Sequence, residues 1–219
     1  MKTITSTEIK NFESRYRARL INSLSGPKSA NLIGTKSVSG QENLCVVSSC
    51  FHLGADPALI GLIFRPAVVE RHTFENIIET KQFSINHINA SIVKEAHQTS
   101  ARYPREISEF DEVGLHPEYI DHFKAPFVCE SALQIGLELK ESQHLSINKT
   151  ELVIGEIKYI RVLEGFIQPD GFIDLFAANS QAVTGLDCYH SLTQGERLSY
   201  AKPDRPVRIL NLDGSSQEK

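Results

Sequence analysis

The apolar residues of this chain arrive in short runs set close together, and that spacing limits the possible folds more than any other feature. The longest run, Leu59 to Phe64, falls far short of the roughly 18 apolar residues that cross a membrane. Leu133, Ile135, Leu137 and Leu139 alternate with Gln134, Gly136, Glu138 and Lys140, which predicts a half-buried strand. After a turn at Asn148-Lys149, Glu151 to Val162 reads as its antiparallel partner. Phe83 to Ile88 also alternates. Leu59 to Phe64 does not, so both its faces should be covered, by the body of the protein or by a second subunit. Between the turns Gly26-Pro27 and Ser39-Gly40, Ala30 to Thr35 predicts a short strand. Lys36 to Glu42 would join it as a hairpin to a strand starting at Asn43. Six or seven strands without regular strand–helix alternation predict a mainly β protein, an antiparallel barrel with short helical insertions.

The helical signals are few. Residues 1–24 suit an N-terminal arm or a short helix, Thr73 to Thr80 a helix capped by Thr73, and Ser91 to Thr99 a helix with Ile92, Val93 and Ala96 inward. Gln98 to Lys124 is polar and rich in charges of both signs, as a lid or interface excursion would be. Pro169-Asp170-Gly171 marks a turn, Ile173 to Ala178 a short apolar segment, and residues 185–206 read as loop. Residues 1–203 are expected to form one domain and 204–219 a C-terminal tail, with Gly214 to Lys219 disordered.

A net charge of -4 argues against broad nucleic-acid binding, which needs gathered Lys and Arg. The N-terminus lacks the apolar core of a signal peptide. Cys45, Cys50, Cys129 and Cys188 form no CxxC, so they read as reduced thiols of a cytoplasmic protein. The glycosylation signal at Asn148 then carries no meaning.

Chemistry concentrates between Asn43 and Asn76. The apolar runs Leu44 to Val47 and Leu59 to Phe64 are joined by a turn built on Gly54, Asp56 and Pro57. Ser48 and Ser49 follow the first run, Arg65 follows the second, and Arg71, His72 and Thr73 open a helix. Hydroxyls, a guanidinium and a helix N-terminus brought together would bind a phosphate. Each part has a plainer reading: Ser48-Ser49 as turn residues, Arg65 in a surface ion pair, Thr73 as a cap. His97 is either a packed residue at a helix end or a ligand contact. The eight histidines include no HExxH and no tight pair, so no metal is expected. Cys50 has no visible activating partner. GxSxG, Walker A and GxGxxG motifs are absent.

The ordered series NLIGT, NLCVVSSCFHLGADPALIGLIFRP, ERHTFENI, INHI, AHQTSARYPREISEF, KAPFVCES, IGEI, GLDCYHS and RLSYAKP resembles the flavin reductase-like family of FMN-binding split barrels, and its flavoredoxin-like branch in particular. The match runs over roughly residues 20–203. The resemblance implies a six-stranded antiparallel Greek-key split barrel, a homodimer, and one FMN per subunit near the dimer interface. It implies flavin contacts, largely through backbone groups, at Asn43 and at Val46, Val47, Ser48, Ser49, Cys50 and Phe51. The phosphate would meet Arg65, His72 and Thr73, and His97, Gln98, Thr99 and Ser100 would approach the ring or the phosphate end. Tyr189 and His190 are further candidates, from this chain or from the partner.

The function implied is an FMN oxidoreductase that draws on NAD(P)H and passes hydride or electrons to a small molecule or a protein. Two alternatives stay open: a flavoredoxin-type electron carrier without NAD(P)H activity, and a non-catalytic flavin-binding module. No general acid or base is assigned, because the cofactor carries the chemistry.

Overall fold

The computed structural model describes residues 1–66 and 69–217. Two helices, α1 (Ser6–Asn11) and α2 (Ser14–Leu24), form the N-terminal arm and bury no residue. A short strand β1 (Lys28–Ser29) leads into β2 (Asn31–Lys36) and β3 (Glu42–Val47), which pair as the expected hairpin. The chain then departs from the sequence reading. Residues taken there as a connection form a strand, β4 (Cys50–Ala55), paired with β5 (Ala58–Phe64). Cys50–Ala55 escaped notice because it is a sheet edge with Phe51, His52 and Leu53 exposed, so it lacks a buried period.

Next come α3 (His72–Thr80), β6 (Gln82–His87), a 3-10 turn at Ala90–Ile92 and α4 (Val93–Gln98). Ile92 and Ala96 are buried and Val93 packs beside them, as the sequence predicts. The excursion holds α5 (Glu109–Val113) and ends in a hairpin, β7 (Pro117–Ile120) with β8 (Phe123–Val128). Two strands of 13 residues follow, β9 (Leu133–Leu145) and β10 (Thr150–Val162). Register shifts near Gly155 and Tyr159 let this long pair bend. Residues 185–206, read as loop, contain β12 (Cys188–Ser191), paired with β11 (Gln181–Thr184). Finally β13 (Arg197–Leu198) pairs with β14 (Ile209–Leu210). Within the tail, the Asn211 N–H donates to the Ser215 carbonyl and Leu210 bridges Ser216, so residues 211–216 form a hydrogen-bonded turn rather than a disordered end. Glu218 and Lys219 lie outside the described residues.

The principal sheet is antiparallel, in the order β3-β2-β6-β9-β10-β5-β4. It has seven strands where the resemblance implies six. Its two edges, β3 and β4, are consecutive in sequence yet unpaired with each other, which makes the barrel a split one. Ile33, Leu62, Phe83, Ile85, Leu137 and Val153 fill the interior, and Ile77 of α3 joins them. A second core lies outside the wall, where Leu32 and Leu44 meet Ala96, Phe110, Leu115, Val128 and Val183. β9 is therefore covered on both faces in its first half: Gln134 and Gly136 are buried along with Leu133 and Leu137. No helix among the described residues is long and apolar enough to cross a membrane.

Candidate flavin site

The split between β3 and β4 is spanned only by Ser48 and Ser49. Ser49 Oγ donates to the Ile63 carbonyl at 2.7 Å, so this corner is pinned to the end of β5. The Ser48 hydroxyl has no partner among the described residues and stays available. Arg65 leaves the end of β5 exposed, and its guanidinium makes no ion pair or hydrogen bond among the described residues. Beside the corner, the far end of the Phe51 ring packs against Gly61, its register partner. A Cβ on residue 61 would come within 2.2 Å of that ring, so the close approach requires glycine. Phe51 is nevertheless 41% exposed, open to whatever covers the corner.

Across β3, α3 starts in an unusual way. The cap position is Arg71, which offers no side-chain acceptor to the first turn. Thr73, expected to cap the helix, lies inside that turn, buried, with its hydroxyl donating to Asn43 Oδ1 at 2.7 Å. Asn43 drew the hydroxyl inward and displaced the cap by two residues. Among the described residues, the amides at the head of α3 are left without a side-chain cap, and buried Arg71 Nε has no partner. The Arg71 N–H itself donates to Glu75 Oε1 at 3.0 Å. His72 Nε2 sits 3.4 Å from Glu70 Oε2. Sequence reasoning saw Arg71 at the helix start but assigned the phosphate to Arg65, His72 and Thr73.

Asn43 belongs to a buried polar network that sequence reasoning did not foresee. Its Oδ1 also accepts from Thr35 Oγ1 at 3.3 Å, and its Nδ2 donates to Glu109 Oε2 at 2.8 Å. The same carboxylate oxygen accepts the Leu44 N–H at 2.9 Å. Asn43 and Thr73 thus spend their side chains on each other and on the scaffold. Leu44 N–H points out of the sheet edge, and alternation puts the Val46 N–H on that edge as well.

The third predicted group follows α4 along the outer side of β3. His97 Nδ1 lies 3.2 Å from the Tyr189 hydroxyl of the same chain, with the rings edge to face. Gln98 Nε2 donates to the Tyr103 hydroxyl at 3.0 Å. Buried Thr99 turns its hydroxyl to the Ala96 carbonyl at 2.7 Å, and Ser100 is exposed. His190 instead faces Thr184 Oγ1 at 3.0 Å. Val47 and Cys50 face the barrel interior beside Cys45, and burial pushes both thiols up to about 12. That shift disfavours the thiolate a nucleophile needs. No group of three or more His, Cys, Asp or Glu side chains able to hold a metal ion occurs among the described residues.

β3 therefore supports all three groups: its end carries the Ser48-Ser49 corner, and both α3 and α4 rest against it. The uncapped head of α3, led by Arg71, suits a phosphate, and an open strand edge suits a polar ring.

The flavin reductase like domain, as a family, matches residues 26–175, and the chain belongs to that family. Among solved structures it is similar to a split barrel protein of Shewanella frigidimarina NCIMB 400, described as a candidate flavin reductase. The identity is 53% over 92% of this chain and 100% of that one, with a TM-score of 0.89. Component B of nitrilotriacetate monooxygenase from Bacillus cereus shares the fold, at 21% identity over 89% and 97% of the two chains, TM-score 0.79. So does the flavoredoxin of Desulfovibrio vulgaris (Miyazaki F), at 23% identity over 81% and 91%, TM-score 0.67.

Proposed function

We propose that this chain is an FMN-binding oxidoreductase that takes reducing equivalents from NADH or NADPH and hands them to a small-molecule or protein acceptor. The observation that carries the reading is the head of α3: a helix N-terminus without a side-chain cap, led by Arg71, whose buried Nε has no partner among the described residues. A terminal phosphate completes that arrangement by accepting from the amides and the guanidinium. Ser48 and Arg65 would close the other side of the anion. The Val46 to Ser49 backbone would meet the polar edge of the ring, where N–H donors favour negative charge. When bound, the flavin supplies the redox step itself. His97, held by Tyr189, and Phe51 would border the flavin and limit what approaches it.

The reading includes a homodimer in the cytoplasm, without nucleic-acid or membrane partners. Phe51 and Leu53 stand exposed on edge strand β4, at 41% and 44%, where a second copy would cover them. Light scattering on a sizing column measures the assembly.

The first experiment is an absorbance spectrum of the purified protein, alone and with FMN, followed by NADH or NADPH without oxygen. Flavin bands that bleach support the reductase. Bands that persist make the protein a flavoredoxin-type carrier supplied by another protein. A protein that stays colourless with excess FMN would overturn the flavin reading altogether.

A further inference from the structure

Residues 108–113, Ser-Glu-Phe-Asp-Glu-Val, cap and form α5 within the polar excursion, and Asp111 and Glu112 are exposed. Glu109 is only 5% exposed, and it is aimed at β3. A buried carboxylate is costly unless donors surround it. Here both donors, Asn43 Nδ2 and the Leu44 N–H, converge on Oε2 and neither is a counter-ion. An amide side chain can face either way, and a carboxylate forces the Asn43 nitrogen toward itself. Asn43 Oδ1 must then face Thr73 and Thr35. Thr35 Oγ1 in turn accepts from Asn76 Nδ2 at 3.1 Å. The helix that heads the phosphate site is thus held at two points, Thr73 and Asn76, by a relay oriented from Glu109. A second link runs from the same excursion, where Arg105 pairs with Glu75, whose other oxygen holds the Arg71 N–H.

We propose that Glu109 is a positioning residue for the flavin phosphate. Through Asn43 and Thr73 it fixes the first turn of α3 against β3, and so sets where the helix amides and Arg71 meet the anion. The excursion is then a brace on the site rather than a lid over it. This rests on the FMN reading above.

The test compares FMN with riboflavin, which carries the same ring without the phosphate, by fluorescence titration of Glu109→Ala and Glu109→Gln. Truncation leaves two buried donors unpaired and lets Asn43 turn, so FMN affinity should fall about tenfold in Glu109→Ala. Riboflavin affinity should hold. Glu109→Gln keeps an acceptor for both donors and should keep the preference for FMN. If Glu109→Ala does not fold, Thr73→Val cuts the same relay at the helix and should lose the same preference. Equal loss of both ligands, alongside a lowered melting temperature, would mean a merely structural role and overturn the proposal. So would a Glu109→Ala protein, or a folded Thr73→Val protein, that still prefers FMN as strongly as wild type. A wild type that binds FMN no better than riboflavin would instead remove the phosphate site itself, and the proposal with it.

Discussion

Of the helical segments that rest on β3, α3 and the one leading into α4 begin in opposite ways. The segment leading into α4 opens on Asn89, whose Oδ1 accepts the Ser91 N–H at 3.0 Å and whose Nδ2 donates to the Glu130 carbonyl at 2.6 Å. Its opening 3-10 turn is thus capped within the chain. α3 has only the returning half of such an arrangement, with Glu75 accepting the Arg71 N–H, and no acceptor for the amides that follow. A start that closes on itself is architecture. A start left open beside an Arg71 Nε with no partner among the described residues is where a ligand would finish the structure.

The sharpest way to break this contrast is Arg71→Ala. Charge-assisted hydrogen bonds to a phosphate are worth about 2 kcal/mol, so FMN affinity should fall roughly thirtyfold. The melting temperature of the apoprotein should not fall, since the side chain makes no hydrogen bond or ion pair among the described residues. Unchanged affinity would make the open start of α3 an accident of packing. Asn89→Ala should do the reverse. Losing a cap and a carbonyl contact should cost about 1–2 kcal/mol in denaturant unfolding, with FMN affinity kept. A loss of FMN affinity as large as that of Arg71→Ala would erase the distinction between the two starts.

Acid should also separate the two sides. His87 stands two residues before Asn89, and its Nδ1 lies 3.1 Å from Ser180 Oγ. Burial pushes its imidazole down from 6.5 to about 4. The unfolded chain then takes up the proton first. The stability contributed by the neutral ring is complete above about pH 6.5 and is lost as the pH falls toward about 4. The loss should be on the order of 1 kcal/mol, because the ring is not fully shielded. Urea unfolding of wild type and His87→Gln across that range measures it. Equal acid sensitivity in both proteins would remove His87 as the cause.

The same contrast explains what the sequence disclosed. The barrel was readable at Leu133 to Leu139 and at Phe83 to Ile88, because alternation follows directly from a strand with one apolar face. β4 was not, since an exposed edge needs no such pattern. Phe123 to Val128 was hidden at the end of a polar excursion, although it buries Phe123, Ala125, Phe127 and Val128. Around the site, residue types were right more often than roles. Thr73 before an apolar helix usually caps it, but a tertiary partner, Asn43, took its hydroxyl. Glu109 could not be told from Asp111 and Glu112, because burial of one acid in three depends on where α5 lands. Local chemistry is written in the sequence; the choice among equivalent groups is made by packing.

The smallest effect should come from Arg65→Ala. Arg65 is exposed at the end of β5 and fixed by no partner among the described residues, so its attraction to a phosphate is screened by water and salt. A contribution of about 0.5–1 kcal/mol predicts a loss of FMN affinity of about two- to fivefold at low ionic strength. The loss should shrink as salt is added, whereas the Arg71→Ala deficit should largely persist, because a buried Nε is shielded from mobile ions. Titrating both variants at low and high salt compares an arginine that steers the anion with one that holds it. If Arg65→Ala proves the larger and more salt-resistant loss, the phosphate sits at the strand corner and not at the head of α3.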